Sequence, residues 1–232
     1  AQSPAFDLFS RENFLRRFGD SDDLRYGQGT QSIYSPVIFL PQALLGRYLW
    51  WKFDFPILPT IILLRITGLA IYVLAGYFAI RAVPFGKWVF ALLALSPSAM
   101  FQASTLNGDG FTNGISFAFI GLILGIYLNQ KQGIKSSSLW ALIVLSLLLG
   151  FAKPGAIILF PLLLLIVRHP FPSKKWILFL GVALAASAVF NVGWSVYATN
   201  VSTYGQGGEQ SVPRQMGSSL SDPMSFIMPL AP

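Results

Sequence analysis

The sequence predicts an all-α fold: a polytopic transmembrane helical bundle of about six spans, preceded by an extracytoplasmic N-terminal loop and interfacial helix. Three observations predict it. From Pro56 to Tyr197 the chain is a series of apolar stretches of about 15–25 residues separated by short polar breaks. Only 11% of residues are charged and mean hydropathy is +0.61, too little charge to cover a globule with water-compatible surface, so lipid must cover part of it. Cations occupy alternate breaks: Arg81 and Lys87, then Lys131 and Lys135, then Arg168, Lys174 and Lys175, with no carboxylate beside any of them. Short loops rich in Lys and Arg stay cytoplasmic, so the alternation assigns each loop to a face. The expected location is the cytoplasmic (inner) membrane, multi-pass, with residues 1–56 and 198–232 extracytoplasmic and the transmembrane domain at 57–197.

The elements follow in order. Residues 1–32 are polar, their cations and anions nearly balanced, with a short helix expected around Phe6–Phe18. Residues 33–51 carry two prolines and end in Tyr48-Leu49-Trp50-Trp51, aromatics suited to the headgroup level, which predicts an interfacial or re-entrant helix. The first span runs from Ile57 to Ile80 with Arg65 inside it; the second, Trp88 to Leu106, is broken at Ser96-Pro97. The third is Phe111 to Leu128. The fourth, Leu139–Ala152, and fifth, Ala156–Val167, have 14 and 12 residues. Since about 20 are needed to cross as an α-helix, their ends at Lys153-Pro154-Gly155 are expected within the membrane thickness. The sixth, Trp176 to Tyr197, leads into a Gly- and Ser-rich loop to about Pro223, with a further span starting near Phe226. The chain starts Ala1-Gln2-Ser3-Pro4 and stops where an apolar run has barely begun, which reads as an internal fragment of a longer membrane protein.

The excess of +7 is accounted for by the cytoplasmic loops rather than by one solvated basic face, so nucleic acid is excluded as a partner. With no cysteine there is no disulfide framework and no thiol nucleophile, and His169 alone builds no zinc site.

Chemistry concentrates on the outer face. Asp109, in Asn107-Gly108-Asp109-Gly110, is the only carboxylate between Asp54 and Glu209. It is a candidate general base, or a ligand of a divalent cation (Mg or Mn) with Asn107 or Asn113 as neutral oxygen donors. The competing reading is a tight turn, with Asp109 as N-cap of the third span. Lys153 breaks the positive-inside rule and is costly near the membrane unless it snorkels or meets an anion, for which a phosphate is suited. Arg65 lies about two turns into its span with no acid on its own helix, so it pairs with a carboxylate elsewhere or holds an anionic ligand. Gln102, Ser104, Thr105, Asn113 and Ser116 line the outer helix ends, as substrate contacts or as helix-packing hydrogen bonds. Asp22-Asp23 reads as solvated loop, and Asn200-Val201-Ser202 is a weak glycosylation match.

The order Tyr34-Ser35-Pro36, Leu40-Pro41-Gln42-Ala43, Arg65, Ser96-Pro97, Phe101-Gln102-Ala103-Ser104, Asp109, Asn113, Lys153-Pro154 and Asp222-Pro223-Met224-Ser225-Phe226 resembles a family of uncharacterised predicted bacterial membrane proteins allied to the GT-C glycosyltransferases. The resemblance covers nearly the whole chain. It implies a GT-C-like fold and transfer of a sugar from a polyprenyl-phosphate donor to a glycan, lipid or protein acceptor at the outer face, in cell-envelope assembly. On that reading Asp109 is an auxiliary carboxylate or metal ligand, Lys153 and Arg65 neutralise the phosphate, and Tyr34 and Gln102 touch sugar or acceptor. The family's acidic Asp-Glu stretch upstream of Tyr-Ser-Pro does not occur here in recognisable form, and Asp22 and Asp23 do not match it. The alternatives are a transporter or flippase of lipid-linked saccharide, using Arg65 and Lys153 without a base, and a non-catalytic scaffold of polysaccharide assembly.

Overall fold

The computed structural model describes residues 14–15, 34–129, 134–166 and 174–205. Phe14 and Leu15, inside the expected N-terminal helix, are helical; the rest of that helix, Asp22-Asp23, Lys131, Arg168 and the loop to Pro223 lie outside the described residues. All regular structure among the described residues is helical.

A 3-10 turn at Pro36–Phe39 leads into α1 (Leu40–Phe53), where the interfacial helix was expected. α1 ends on Asp54, whose left-handed backbone (φ 45°) turns Asp54 N–H back to Trp50 O and Phe55 N–H to Leu49 O, closing the last carbonyls. α2 (Ile57–Ala82) is the first span. The proline break at Ser96-Pro97 splits the next segment into α3 (Lys87–Ala94) and α4 (Pro97–Ala103). Tyr72 Oη donates to Ala94 O at 2.8 Å, satisfying a carbonyl that the break leaves without a helical partner. α5 (Gly108–Leu128), α6 (Ser136–Ala152) and α7 (Lys174–Gly205) follow.

Three helices, α2, α5 and the Lys174–Ala198 part of α7, are long and apolar enough to cross a membrane; the other apolar segments of the expected six are shorter. Between α6 and α7, Pro154–Ile166 is not an α-helix but a 3-10 helix with Pro161 inside it. At about 2.0 Å per residue its 13 residues extend about 26 Å, as far as the 17 of α6 at about 1.5 Å. The exposed positions Gly155, Ile158, Pro161 and Leu164 recur every third residue, the eclipsed period of that helix. The expectation of truncated α-helical ends rested on an α-helical rise that the chain does not use here. α7 also continues past the expected boundary at Tyr197 to Gly205, because no Gly or Pro interrupts the polar run after Gly193.

The packing defines the directions. α2 and α5 run parallel in close contact, Gly114 against Ala75, Gly121 against Ala79 and Gly125 against Ala82. α3 and α4 return antiparallel to α2, with Ala94 beside Gly76 and the Ala103 carbonyl beside Gly68. α6 runs antiparallel to α5, bringing Lys153 to Asp109, and α7 runs parallel to α6, with Trp176 beside Trp140 and Ser187 beside Ser146. A core of Phe119, Ile123, Leu139, Leu142, Leu149 and Ile166 fills the space among α5, α6, the 3-10 helix and α7. One end of the bundle thus carries Arg81, Lys87, Lys135, Lys174 and Lys175; the other carries Asp109 and Lys153.

Candidate functional site

The site is assembled at the Asp109 end from three stretches far apart in sequence. α5 begins with a capping turn: Asn107 is the N-cap, its side chain accepting from the backbone of Asp109 (3.2 Å) and Gly110 (3.4 Å). The N-cap is therefore Asn107, and Asp109 in the first helical turn keeps its carboxylate for another partner. That partner is Lys153, whose Nζ meets the Asp109 carboxylate as an ion pair. The same ammonium stands 4.5 Å from the centre of the Tyr34 ring. Side-chain exposures of 28% for Lys153 and 30% for Asp109 leave both within reach of a ligand.

Each component has a structural reason to be where it is. Tyr34 is held over the pair by the turn that follows it. Ser35, buried, accepts from Val37 N–H at 3.3 Å, and the fully buried Ile38 packs on Gly108, where any Cβ would collide with it. Gly110 lies so close to Ala103 that an added Cβ would be 2.7 Å from its Cα, which seats the start of α5 on the end of α4. On the opposite side Asn191 of α7, only 7% exposed, donates from Nδ2 to Gly150 O (2.9 Å) and Lys153 O (3.1 Å). Those carbonyls close α6, so Asn191 anchors the backbone that carries Lys153.

One helical turn along α5 from Asp109, Asn113 Nδ2 donates to Gln102 Oε1 at 2.7 Å. Thr105 Oγ1 in turn bonds Gln102 O at 3.0 Å. Arg65, expected to meet a carboxylate or an anion, donates instead from Nε to Ser104 O at 2.7 Å, taking a carbonyl at the end of α4; no carboxylate partners it among the described residues. The structure thus brings together Tyr34, Asp109 and Lys153, sets Asn107 beneath Asp109 as its cap, pairs Gln102 with Asn113, and ties Arg65 to the α4 end. Ser187 and Asn191 were missed by sequence reasoning. Asn191 is an amide inside the sixth apolar stretch, and that was the available signal.

For a divalent cation the donors present are a poor fit. The Asp109 carboxylate already holds an ammonium, the Asn107 oxygen is used by two backbone amides, and no group of three or more His, Cys, Asp or Glu side chains lies together among the described residues.

Fold and site together define an all-α membrane protein with a charged pair held at the end of the bundle opposite its basic loops. The chain belongs to the family described as predicted membrane protein (DUF2142), whose model matches residues 12–230. Comparison with curated proteins and with solved structures yields no match.

Proposed function

We propose that this protein acts as a membrane glycosyltransferase of the GT-C type, moving a sugar from a polyprenyl-phosphate donor to an acceptor hydroxyl on the Asp109 face. The observation that supports this reading is the contact of Asp109 with Lys153 under Tyr34, an acid and a cation at one accessible point near the membrane surface. A partly exposed ion pair is worth about 1 kcal/mol or less, so a phosphate can displace it.

In this mechanism the donor phosphate takes over Lys153 and frees the Asp109 carboxylate. Asp109 accepts the acceptor proton as the acceptor oxygen bonds to the sugar's anomeric carbon. The anomeric carbon–oxygen bond breaks and its electron pair leaves with the phosphate, stabilised by the Lys153 ammonium as charge develops. Arg65 adds positive charge from the α4 side, through nitrogens not used by its bond to Ser104. Tyr34, Gln102 and Asn113 supply ring and amide groups for the sugar. No step passes through a metal ion.

The experiment is transfer of labelled sugar from a polyprenyl-phosphate donor in membranes containing the full-length protein, with donor binding measured in parallel. Asp109→Asn should lower transfer by about 100-fold or more while donor binding rises, since Lys153 loses its internal counterion. Lys153→Ala should lose both. Transfer that survives in Asp109→Asn would point to lipid-linked saccharide transport instead. Donor binding unchanged by Lys153→Ala and Arg65→Ala would leave the scaffold reading.

A further inference from the structure

A second feature lies at the basic end, remote from Asp109. α2 and α6 both pack on α5, and the space left between them is a groove of about 590 Å³. Its walls are Ala75 and Phe78 of α2 and Trp140 and Val144 of α6, with Ile115 and Ala118 as the floor. At its mouth, sharing Ala82 and Leu122 with it, lies a smaller cavity of about 210 Å³ lined by Asn129, Lys135 and Ser138. The apolar volume falls within the range of about 300–1,000 Å³ of clefts that hold small molecules.

We infer that this groove is a binding site for one anionic phospholipid, its phosphate between Arg81 and Lys135 and one acyl chain between α2 and α6. The chemistry of the walls separates along the groove. The body offers an acyl chain only apolar contacts, apart from Arg81 at its edge. The mouth offers two cations, the amide of Asn129 and the hydroxyl of Ser138. Arg81 is exposed, and its Nη1 is held by Tyr77 Oη at 3.2 Å, which leaves the rest of the guanidinium directed elsewhere. Lys135 is exposed and is the N-cap of α6, whose first turn has no side-chain cap, so helix polarity adds to the attraction for an anion. Among the described residues the only carboxylates are Asp54 and Asp109, both at the other end, so no described carboxylate neutralises the cations at this mouth.

The groove has the length of an acyl chain. Its α6 wall, Lys135 to Val144, follows about 14 Å of helix and its floor, Ile115 to Asn129, about 21 Å of α5, against a hydrocarbon core about 30 Å thick. Trp140, with its ring stacked against Phe179 and edge-on to Trp176, marks the depth at which headgroups meet chains. A bilayer lipid lying elsewhere on the bundle would meet apolar surface; here an apolar recess ends beside two exposed cations.

Trp140 supplies the readout. The full chain is reconstituted into vesicles containing a fixed small fraction of lipid brominated on its acyl chains, either phosphatidylglycerol or phosphatidylcholine. The part of tryptophan quenching lost in Trp140→Phe is then compared. Brominated phosphatidylglycerol should quench Trp140 with an apparent affinity up to about 25-fold above that of phosphatidylcholine, given roughly fivefold for each of the two cations. Arg81→Gln with Lys135→Gln should erase that preference, whereas Lys174→Gln with Lys175→Gln, at the same end but outside the groove, should keep it. Val144→Phe, which narrows the groove without adding a tryptophan, should weaken quenching by both lipids. Equal quenching by the two lipids in the unaltered protein means annular lipid only and overturns the proposal. A preference that survives in Arg81→Gln with Lys135→Gln overturns it as well. None of these variants touches Asp109 or Lys153, so failure here leaves the transfer reading standing, and the reverse.

Discussion

The two long seams of the bundle are built from opposite principles. Between α2 and α5 the contact is backbone on backbone: an added Cβ at Gly121 would stand 2.8 Å from Cα and O of Ala79, and one at Gly125 would strike the carbonyl of Ala82. Between α6 and α7 the contact is made by side chains that bond. Ser187 Oγ donates to Ser146 O (3.0 Å) and to Ala183 O (2.8 Å), Asn191 donates to the end of α6, and Gly150 makes room for Ser187. In a membrane, where lipid removes most of the hydrophobic drive between helices, both are known routes to association. The first seam holds by shape and cannot yield; the second holds by direction and can be re-made. Asp109 rides on the first and Lys153 on the second, so the ion pair bridges two assemblies of different stiffness.

That contrast can be broken at several points. Gly121→Val should be the most damaging, about 3 kcal/mol or more of destabilisation, read as loss of monodisperse protein and a lower melting temperature in detergent. Ala79→Gly should not rescue it, because the colliding atoms are backbone. Gly150→Val should cost about 2 kcal/mol, and here Ser187→Gly should restore part of the stability, because it removes the two nearest atoms, Cβ and Oγ, and leaves only the Ser187 Cα, 2.7 Å from an added Cβ. Rescue of both or of neither would remove the distinction between the seams. Asn191→Leu should cost about 1 kcal/mol and loosen Lys153, lowering transfer more than melting temperature. Ser146→Ala should be the smallest, about 0.5 kcal/mol or less: its hydroxyl bonds only to Leu142 O in its own helix, and the carbonyl used by Ser187 remains.

Much of the architecture could be read from residue order. Pro56 starts α2, Ser96-Pro97 breaks the next segment, and the alternation of cations against Asp109 matches the two ends of the bundle. Asp109 and Lys153 were visible as isolated charges among apolar residues. Their meeting was not, because they stand 44 residues apart on different helices and periodicity carries no information about which helices touch. The choice between Asn107 and Asp109 as cap was equally hidden: both side chains are good caps, each is followed by glycine, and they are two positions apart. The 3-10 path of Pro154–Ile166 escaped because an apolar run reads alike in either helix. Arg65 was read for a charged partner, yet a guanidinium satisfies a helix-end carbonyl as readily.

The pairing of Asp109 with Lys153 has a consequence for how the bundle enters the bilayer. With the basic loops on the negative side of a potential of about 100 mV, carrying a lysine to the far side opposes the field by about 2.3 kcal/mol. Carrying an aspartate there is favoured by the same amount. α5 and α6 are neighbours in sequence, so translocating the turn before α5 and the turn after α6 moves one charge of each sign. In that orientation the electrical work of moving the two turns sums to zero, and Lys153 would add no net cost in voltage.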